Sequence, residues 1–379
     1  MITYRKARPE DRRKYIDFAN MVFSMNWAPH NFKTLLPKVY GDGRATDDMQ
    51  NISVDENGDV RGLIAVMPDE MRVLDRTLRT GYVGTVSVHP FSRGEGHMKA
   101  LMKMAIEGAQ KDGIDLMMLG GQRQRYEYFG FTPGGVAVHH RVIAANVRHA
   151  LKNEDASGIR FVPMTEADEA LIDQAFALHE KQPLRMVRSR ADFVTILQSW
   201  YAVPFIVLEN DAFAGYLVAA RDMKAFAEFK LCDTKRYRAV VKAWTQQKDA
   251  HPLEIVAAGC DVELNRALGS FAEESRIEAA EQLHVLNWPN VLRALLPLSA
   301  CISPLADGVL SLWIDEKPLT LTVKNGVIEV TENAPEDAPH WTGNEAQRRL
   351  FSPLAAYDGP IAPAGWLPLK LYMASPDHF

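Results

Sequence analysis

A change from strand to helix across a glycine-rich loop is the feature that most constrains the fold. Alternating β-branched residues, Val86 and Val88, end at Pro90, and apolar residues recur at helical spacing from Met98 onward. Between them lies the loop Arg93-Gly94-Glu95-Gly96. A helix that begins at such a loop exposes unpaired N–H groups and the positive end of its dipole, which suits a phosphate group. The segment predicts an α/β fold with an anion site at the helix start.

Each residue type in this loop has a physical reason to contact an anion or to avoid it. Glycine lets the backbone approach closely, and Arg93 supplies charge and a bidentate hydrogen bond. Glu95 is unfavourable beside a diphosphate unless it points to solvent, whereas His97 either touches phosphate or caps the helix. A dinucleotide fold is disfavoured because Gly-x-Gly-x-x-Gly is absent. The candidate cofactor-binding residues are Val86, Ser87, Val88, Arg93, Gly94, Glu95, Gly96, His97 and Met98.

Composition places the chain among globular proteins. Its 379 residues, 47% hydrophobic and 24% charged, are enough for two or three domains. No window approaches the ~18 apolar residues of a membrane span, and the N-terminus lacks the apolar segment of a signal peptide, so we expect a cytoplasmic protein without a membrane partner. A net charge of -5 disfavours nucleic acid. Three widely spaced cysteines suggest neither disulfides nor a thiolate metal site.

The order of predicted elements divides the chain into three segments. Residues 1–150 read as a mixed α/β unit with a hairpin turn at Asn57-Gly58. Residues 151–277 repeat its order of strands and helices but lack the Arg-x-x-Gly loop, so this copy is predicted to be degenerate. From residue 278 onward, a helix and alternating strands around an Asn325-Gly326 turn predict an antiparallel sheet with one covered face.

The strand, the loop and the later "YFGF" together resemble the signature of GNAT acetyltransferases. In that signature, Arg/Gln-x-x-Gly-x-Gly/Ala cradles the pyrophosphate of acetyl-CoA, which the resemblance makes the expected cosubstrate. Met98 stands where the signature prefers Gly or Ala. We therefore expect a modest weakening of CoA affinity.

A narrower resemblance covers the whole chain. A GNAT domain, a degenerate second GNAT copy and a sterol carrier protein-like domain follow one another in the enhanced intracellular survival acetyltransferases, and this sequence is similar to them in "HPFSRGEGHMKALM", "RYEYFGF" and "SPDHF". The resemblance implies an α/β (α+β) fold, a homo-oligomer, Tyr126 as general acid and the α-carboxylate of Phe379 as base. Tyr128 is the alternative general acid, because "RYEYFGF" can be aligned with the family's segment in two ways that differ by two residues.

These roles suit acetyl transfer to an amine. An alkylammonium has a pKa near 10.4, so losing its proton at pH 7 costs about 4.6 kcal/mol, which a base offsets. A tyrosine hydroxyl with a pKa of ~10 is close enough to a thiol at ~8.5 to protonate the leaving thiolate, and amides along Val86 to Val88 would stabilise the oxyanion. No metal is required. The alternatives are a packing aromatic for Tyr126 and a frayed tail for Phe379.

The predicted function is acetyl-CoA-dependent N-acetylation of a small cationic amine, polyamine- or aminoglycoside-like, in a ternary complex. Residues 21–27, with Trp27, are either a wall of the amine pocket or core. One alternative function is an acyl-CoA-responsive lipid carrier or sensor with a vestigial GNAT domain. The other is an acyltransferase that acts on a peptide acceptor.

Overall fold

The computed structural model describes residues 1–25 and 28–379, and in this part of the chain three β-sheets are flanked by helices. Trp27, the predicted pocket or core residue, lies outside the described residues. No helix in the described part combines the length and the apolar character that a bilayer span requires.

The strands and helices follow one another along the chain in three groups. The first group comprises β1 Thr3–Lys6, α1 Arg12–Ser24, α2 Phe32–Leu35, α3 Pro37–Tyr40, β2 Gln50–Val54, β3 Val60–Val73, β4 Arg76–Val88, α4 His97–Lys111, β5 Leu116–Leu119, α5 Arg123–Tyr126, β6 Thr132–Gly134, β7 Ala137–Val142 and α6 Ala144–Ala150. The second comprises β8 Ile159–Pro163, α7 Glu169–Glu180, β9 Leu184–Met186, α8 Phe193–Leu197, β10 Val203–Glu209, β11 Ala212–Ala219, β12 Ala225–Leu231, α9 Tyr237–Lys248, β13 Leu253–Ala258, α10 Val262–Gly269 and β14 Glu274–Glu278. The third comprises β15 Glu281–Val285, α11 Trp288–Ser299, β16 Gly308–Ile314, β17 Lys317–Lys324, β18 Val327–Thr331, β19 His340–Trp341 and α12 Gly343–Phe351.

The two large sheets share one plan. The first has the order β1-β2-β3-β4-β5-β15-β6, with β9 added to β3, and the second has the order β8-β10-β11-β12-β13-β7-β14. In each sheet the fourth and fifth strands pair in parallel, β4 with β5 and β12 with β13. The mixed α/β fold with a repeated unit is thus confirmed.

The sixth strand of each sheet comes from the other half of the chain. β15 pairs antiparallel with β5 in the first sheet, and β7 pairs antiparallel with β13 in the second. The predicted boundaries after residues 150 and 277 therefore separate β7 and β15 from the sheets that they complete. The sequence did not predict β15, and the alternating apolar residues of β7 indicate a strand without specifying its partners.

Local predictions in the first segment agree with the structure. α4 turns one apolar face to the first sheet, where Leu101, Met102 and Ala105 are buried. The Asn57-Gly58 turn joins β2 to β3, with Gly58 at φ +75°. β3 continues through Pro68 as a single strand from Val60 to Val73.

The third sheet confirms the predicted one-sided burial. In β16 and β17, Leu310, Leu312, Leu319 and Leu321 are buried while their neighbours face outward. Its order is β18-β17-β16-β19, antiparallel except for the parallel contact of β16 with β19. Gly326 at φ +77° completes the predicted turn between β17 and β18.

Leu283→Ala tests how much the exchanged strand stabilises the first sheet. Leu283 of β15 is fully buried, so its truncation should lower the free energy of unfolding by about 2–5 kcal/mol. Urea unfolding of the variant measures the loss. Val327→Ala in β18, a position that is 69% exposed, is the matched control and should change stability by less than about 0.5 kcal/mol. Equal effects of the two substitutions would contradict a central place for β15.

Candidate active site

The candidate site lies where β4 and β5 separate. Their parallel pairing begins at Thr80 opposite Leu116 and ends at Tyr82 opposite Met118. Beyond Tyr82, β4 continues to Val88 with β3 on one side and, among the described strands, no partner on the other. Backbone N–H and C=O groups along this edge need hydrogen-bond partners, which the amides of a bound ligand can supply.

A β-bulge in β4 lies at the same place. Gly84 pairs with Ala65 and Ser87 with Leu63, so Thr85 and Val86 together face Ile64. Thr85 has φ +47°, a left-handed conformation that costs about 1 kcal/mol or more for a residue other than glycine. The bulge takes Thr85 and Val86, the first residue of the predicted oxyanion-binding stretch, out of the regular ladder, which resumes at Ser87.

Side-chain hydrogen bonds hold the bulge in place. The hydroxyl groups of Thr85 and Tyr40 lie 3.0 Å apart, and Ser87 Oγ donates to the carbonyl oxygen of Thr85 at 3.0 Å. Tyr40 is fully buried and also donates to Gln50 Oε1 at 3.3 Å. The strained backbone is therefore fixed before any ligand arrives.

The loop before α4 has the open shape that a phosphate requires. Gly94 and Gly96 have φ of +87° and +85°, and a Cβ added at either would meet no atom within 4 Å. Arg93 is exposed, and within the described part of the chain it forms no ion pair. The first N–H groups of α4 lack intrahelical partners, so these residues fit a diphosphate. In the second sheet, by contrast, the Asp233 carboxylate accepts from Lys235 N at 3.0 Å at the matching helix start.

Glu95, His97 and Met98 are engaged with the protein. Glu95 Oε2 lies 3.1 Å from His97 Nε2, while His97 Nδ1 lies 3.4 Å from the Tyr4 hydroxyl. The His97 ring is only 2% exposed, and the helix N-cap is Gly96. Met98 packs against the apolar cluster beneath α4. The Glu95 carboxylate is thus turned toward an imidazole, although it remains about half exposed.

Tyr126 borders the opening between the strands. It is 8% exposed, and its ring covers Gly121, where an added Cβ would lie 2.7 Å from Cε2. Among the described residues its hydroxyl makes no hydrogen bond. Burial raises its pKa above the ordinary value of 10 despite the opposing charge of Arg125, so the hydroxyl keeps its proton at neutral pH.

Tyr128 lies in a different environment from Tyr126. It is 69% exposed, and its ring lies 5.3 Å from the ammonium nitrogen of Lys99 in the first turn of α4. A cation–π contact of this kind is a surface interaction. The environment therefore separates two tyrosines that the sequence left as alternatives.

Phe379 lies on the opposite face of the first sheet from Tyr126. Its ring is 5% exposed and packs on β4 so tightly that a Cβ at Gly84 would lie 1.6 Å from Cδ1. It also makes an edge contact with Tyr40 at a centroid distance of 5.8 Å. Tyr126 belongs instead to the cluster under α4 with Val83. The two residues make no contact with each other but border the same stretch of β4.

The last four residues are held by contacts from several parts of the chain. Lys38 Nζ donates to the Pro376 carbonyl oxygen at 2.7 Å, and Trp200 Nε1 donates to that of His378 at 3.4 Å. The His378 ring stacks on Tyr82 at 5.3 Å. Sequence reasoning missed these partners, because they lie between 178 and 338 residues from the tail and no local pattern marks them.

Glu281 of β15 lies beside this tail. Its Oε2 accepts from the Tyr82 hydroxyl at 3.1 Å, and its Oε1 lies 2.7 Å from His378 Nε2. The His378 N–H is directed instead at the Met373 carbonyl oxygen at 3.2 Å, so Glu281 Oε1 has no in-line donor among the described residues. Burial and the neighbouring carboxylate raise the pKa of Tyr82 well above its usual value.

A buried ionic cluster anchors Asp377. Arg188 lies between Asp377 and Glu228, and all three side chains are less than 7% exposed. Burial alone would lower the pKa of Arg188, but the two carboxylates raise it well above its ordinary value. Burial would raise the pKa of Glu228, yet Arg188 holds it well below the usual range. Arg188 and Glu228 are therefore charged at neutral pH.

A cavity of about 700 Å³ lies apart from this site, between the end of α4 and the start of α11. Its lining includes Asn287, Asn290, Arg293, Lys317 and Glu332. Ile114, Trp288 and Leu319 are among the apolar residues that also line it, so its wall is mixed in character. Within the described residues no group of His, Cys, Asp and Glu side chains is arranged to hold a metal ion.

Comparisons with known proteins agree with this geometry. Residues 3–134 match the acetyltransferase (GNAT) domain family. Three solved structures superpose over all of both chains: a GCN5-related N-acetyltransferase from Kribbella flavida (16% identity, TM-score 0.68), a probable N-acyltransferase of unknown function from Enterococcus faecalis V583 (15%, 0.67) and Eis1 from Mycobacterium abscessus (14%, 0.62). No curated protein matched by sequence.

At these identities the superpositions establish the fold, and the family match covers the segment that carries the site. The β4 bulge, its open edge and the glycine loop accordingly belong to a GNAT acetyltransferase domain. Residues 3–134 form a GNAT acetyltransferase domain, which makes the protein an acyltransferase, and the full chain is similar in fold to Eis1 of Mycobacterium abscessus.

Gly84→Val tests the contact between β4 and the last residue. The new side chain would overlap the Phe379 ring, so we expect a loss of about 1–3 kcal/mol in the free energy of unfolding. Removing Phe379 from the same variant should recover most of that loss, which a double-mutant cycle by urea unfolding measures.

Gly108→Ala in α4 is the matched control for Gly84→Val, since a Cβ at Gly108 meets nothing within 4 Å. It should leave stability unchanged or raise it by up to about 1 kcal/mol. If Gly84→Val lowers the free energy of unfolding by the same amount whether or not Phe379 is present, the contact between Gly84 and the Phe379 ring is contradicted.

Proposed function

We propose that the protein transfers the acetyl group of acetyl-CoA to a primary amine of a small cationic acceptor, polyamine- or aminoglycoside-like, by direct attack in a ternary complex. The observation that supports the proposal is that Tyr126 and the Phe379 ring pack beside the same stretch of β4. Tyr126 borders it from the face covered by α4, and Phe379 borders it from the other face.

The loop and the open edge of β4 would hold acetyl-CoA. Arg93 and the backbone of Gly94 and Gly96 would bind the diphosphate, for which the loop leaves space. Backbone amides from Val86 to Val88 would stabilise the negative charge that develops on the thioester oxygen. Glu95 opposes the diphosphate, and its contact with His97 limits that repulsion.

The α-carboxylate of Phe379 would accept the proton of the attacking amine. A free carboxylate with a pKa of about 3.5 is a weak base, but withdrawal from water raises that value, and a bridging water could share the transfer. The Phe379 ring is buried against β4, and the tail before it is anchored, which supports this role. The amine nitrogen then bonds to the thioester carbon as the carbon–sulfur bond breaks.

Tyr126 would protonate the departing CoA thiolate. A general acid must hold its proton until transfer, and burial raises the pKa of this hydroxyl above 10. The acid is therefore competent at all pH values below that pKa, and loss of its proton should limit activity only above about pH 10.

Three further features belong to the same proposal. The cytoplasm is the proposed compartment, the assembly is proposed to be a homo-oligomer, and residues 278–379 are proposed to resemble a sterol carrier protein. An acyl-CoA-responsive lipid carrier and a peptide acyltransferase are the competing outcomes of the test.

The test is titration calorimetry with acetyl-CoA, paired with a thiol-release assay on a panel of polyamines, aminoglycosides and amine-bearing peptides. Binding, with CoA release on small cationic amines, supports the proposal. Release on peptides alone would make the protein a peptide acyltransferase. Failure to bind acetyl-CoA, with lipid found in an organic extract of the purified protein, would favour the carrier.

Tyr126→Phe should lower kcat by about a hundredfold and leave the acetyl-CoA Kd within about twofold, because it removes a proton donor and keeps the ring. Tyr128→Phe is the matched control and should retain full turnover, since that hydroxyl is on the surface. Steady-state kinetics and calorimetry measure both. Full turnover of Tyr126→Phe would exclude it as the general acid.

Extending the chain by one glycine after Phe379 should lower kcat by about a hundredfold or more. The extension replaces the Phe379 carboxylate with an amide and moves the charge by one residue. The acetyl-CoA Kd should not change. Activity that survives the extension would remove the carboxylate from the mechanism.

A further inference from the structure

We propose that Arg188 is a positioning residue of the active site, because its guanidinium anchors the C-terminal segment and so keeps the α-carboxylate of Phe379 beside β4. The inference rests on the proposed role of Phe379 as the base. It gives a part in catalysis to the second half of the chain, which lacks a glycine loop of its own.

The Arg188 guanidinium donates two hydrogen bonds to each of its two carboxylate partners. Its Nε and Nη2 donate to the carboxylate oxygens of Asp377 at 2.9 and 2.7 Å. Its Nη1 and Nη2 donate to those of Glu228 at 3.2 and 2.7 Å. Paired N–H donors of this kind fix orientation as well as distance, and lysine cannot reproduce them.

The two carboxylates differ in what else holds them. Glu228 lies in β12 between β11 and β13, accepts from the Tyr216 hydroxyl and lies 3.8 Å from His179 Nδ1. Asp377 lies in a short turn of the tail, and among the described ion pairs its carboxylate has Arg188 alone. Loss of the guanidinium should therefore weaken the hold on the tail at Asp377, while Glu228 keeps its other contacts in the sheet.

Arg188 is itself fixed to the first sheet. β9 ends two residues earlier and pairs with β3 from Met71 to Val73. The next N–H along the chain, that of Val187, donates to the Glu70 carbonyl oxygen at 2.8 Å. Arg188 thus follows directly from a strand of the sheet that carries the candidate site, and its side chain reaches the tail two residues before Phe379.

Arg188→Met is the primary test, with steady-state kinetics, acetyl-CoA calorimetry and timed digestion by a carboxypeptidase. We expect kcat to fall by about tenfold or more while the acetyl-CoA Kd stays within about twofold. Carboxypeptidase should release phenylalanine from the variant at least about ten times faster than from the unchanged protein, in which the ring is buried.

Further variants separate positioning from folding. Asp377→Asn removes one charge from the tail and leaves the Arg188–Glu228 pair. Carboxypeptidase should therefore release phenylalanine from it as fast as from Arg188→Met, while its melting temperature should stay close to that of the unchanged protein. Arg188→Lys should recover part of kcat, since it restores charge without the paired donors. Arg190→Met is the matched control, because Arg190 pairs with Glu169 and Asp173 on a partly exposed surface. It should match the unchanged protein.

The inference is overturned if Arg188→Met and Asp377→Asn both fold, keep kcat within about twofold and resist carboxypeptidase. It is also overturned if the two substitutions weaken acetyl-CoA binding, seen as a higher Kd, instead of lowering kcat. The glycine extension after Phe379 distinguishes the failure of each idea. If the extension lowers kcat but the tail of the Arg188 and Asp377 variants resists carboxypeptidase, only the role of Arg188 is refuted. If the extension leaves kcat unchanged, the Phe379 carboxylate is not the base, and anchoring it by Arg188 has no catalytic value.

Discussion

The exchange of β7 and β15 between the two large sheets is the constraint on which the rest of the structure depends. Each sheet buries a strand that the other half of the chain supplies, so neither can complete its pairing alone. Buried backbone groups must be paired, which gives the exchange a large energetic weight. The two halves are consequently joined through their sheets as well as through contacts at their surfaces.

The exchange also brings the parts of the site together. β15 places Glu281 under Tyr82 on one face of the first sheet and Gln282 beside Gly121 on the other, close to the Tyr126 ring. Next to β7, the N–H of Val136 donates to the Leu371 carbonyl oxygen at 2.8 Å, which guides the tail toward its anchor. The opening between β4 and β5 is thus bordered by residues from distant parts of the sequence.

Sequence reasoning succeeded where the determinants are local. The glycine loop, α4 and the Asn57-Gly58 turn follow from residues within a few positions of one another, and the structure confirms them. The loop's function rests on the same local signal and on the family match.

Contacts between residues far apart in the sequence could not be predicted in this way. The alternating pattern of β7 is equally compatible with either sheet, so its sequence predicted a strand without its neighbours. Arg188 is one of 43 lysine and arginine residues, and only the fold shows that it is buried between two carboxylates. For Tyr126 and Tyr128, the sequence leaves a two-residue ambiguity, and only the fold shows that one side chain is buried and the other exposed.

The most direct test of the central claim is the titration of the Phe379 carboxylate by carbon-13 NMR, with the carbonyl carbons of phenylalanine labelled. A C-terminal carboxylate can be told from the other labelled positions because its resonance moves with its own ionisation. A base withdrawn from water should titrate well above the ordinary pKa of about 3.5, and further upward once acetyl-CoA closes the opening. A pKa near 3.5 that does not change when acetyl-CoA binds would show that the carboxylate is solvated and would contradict the mechanism.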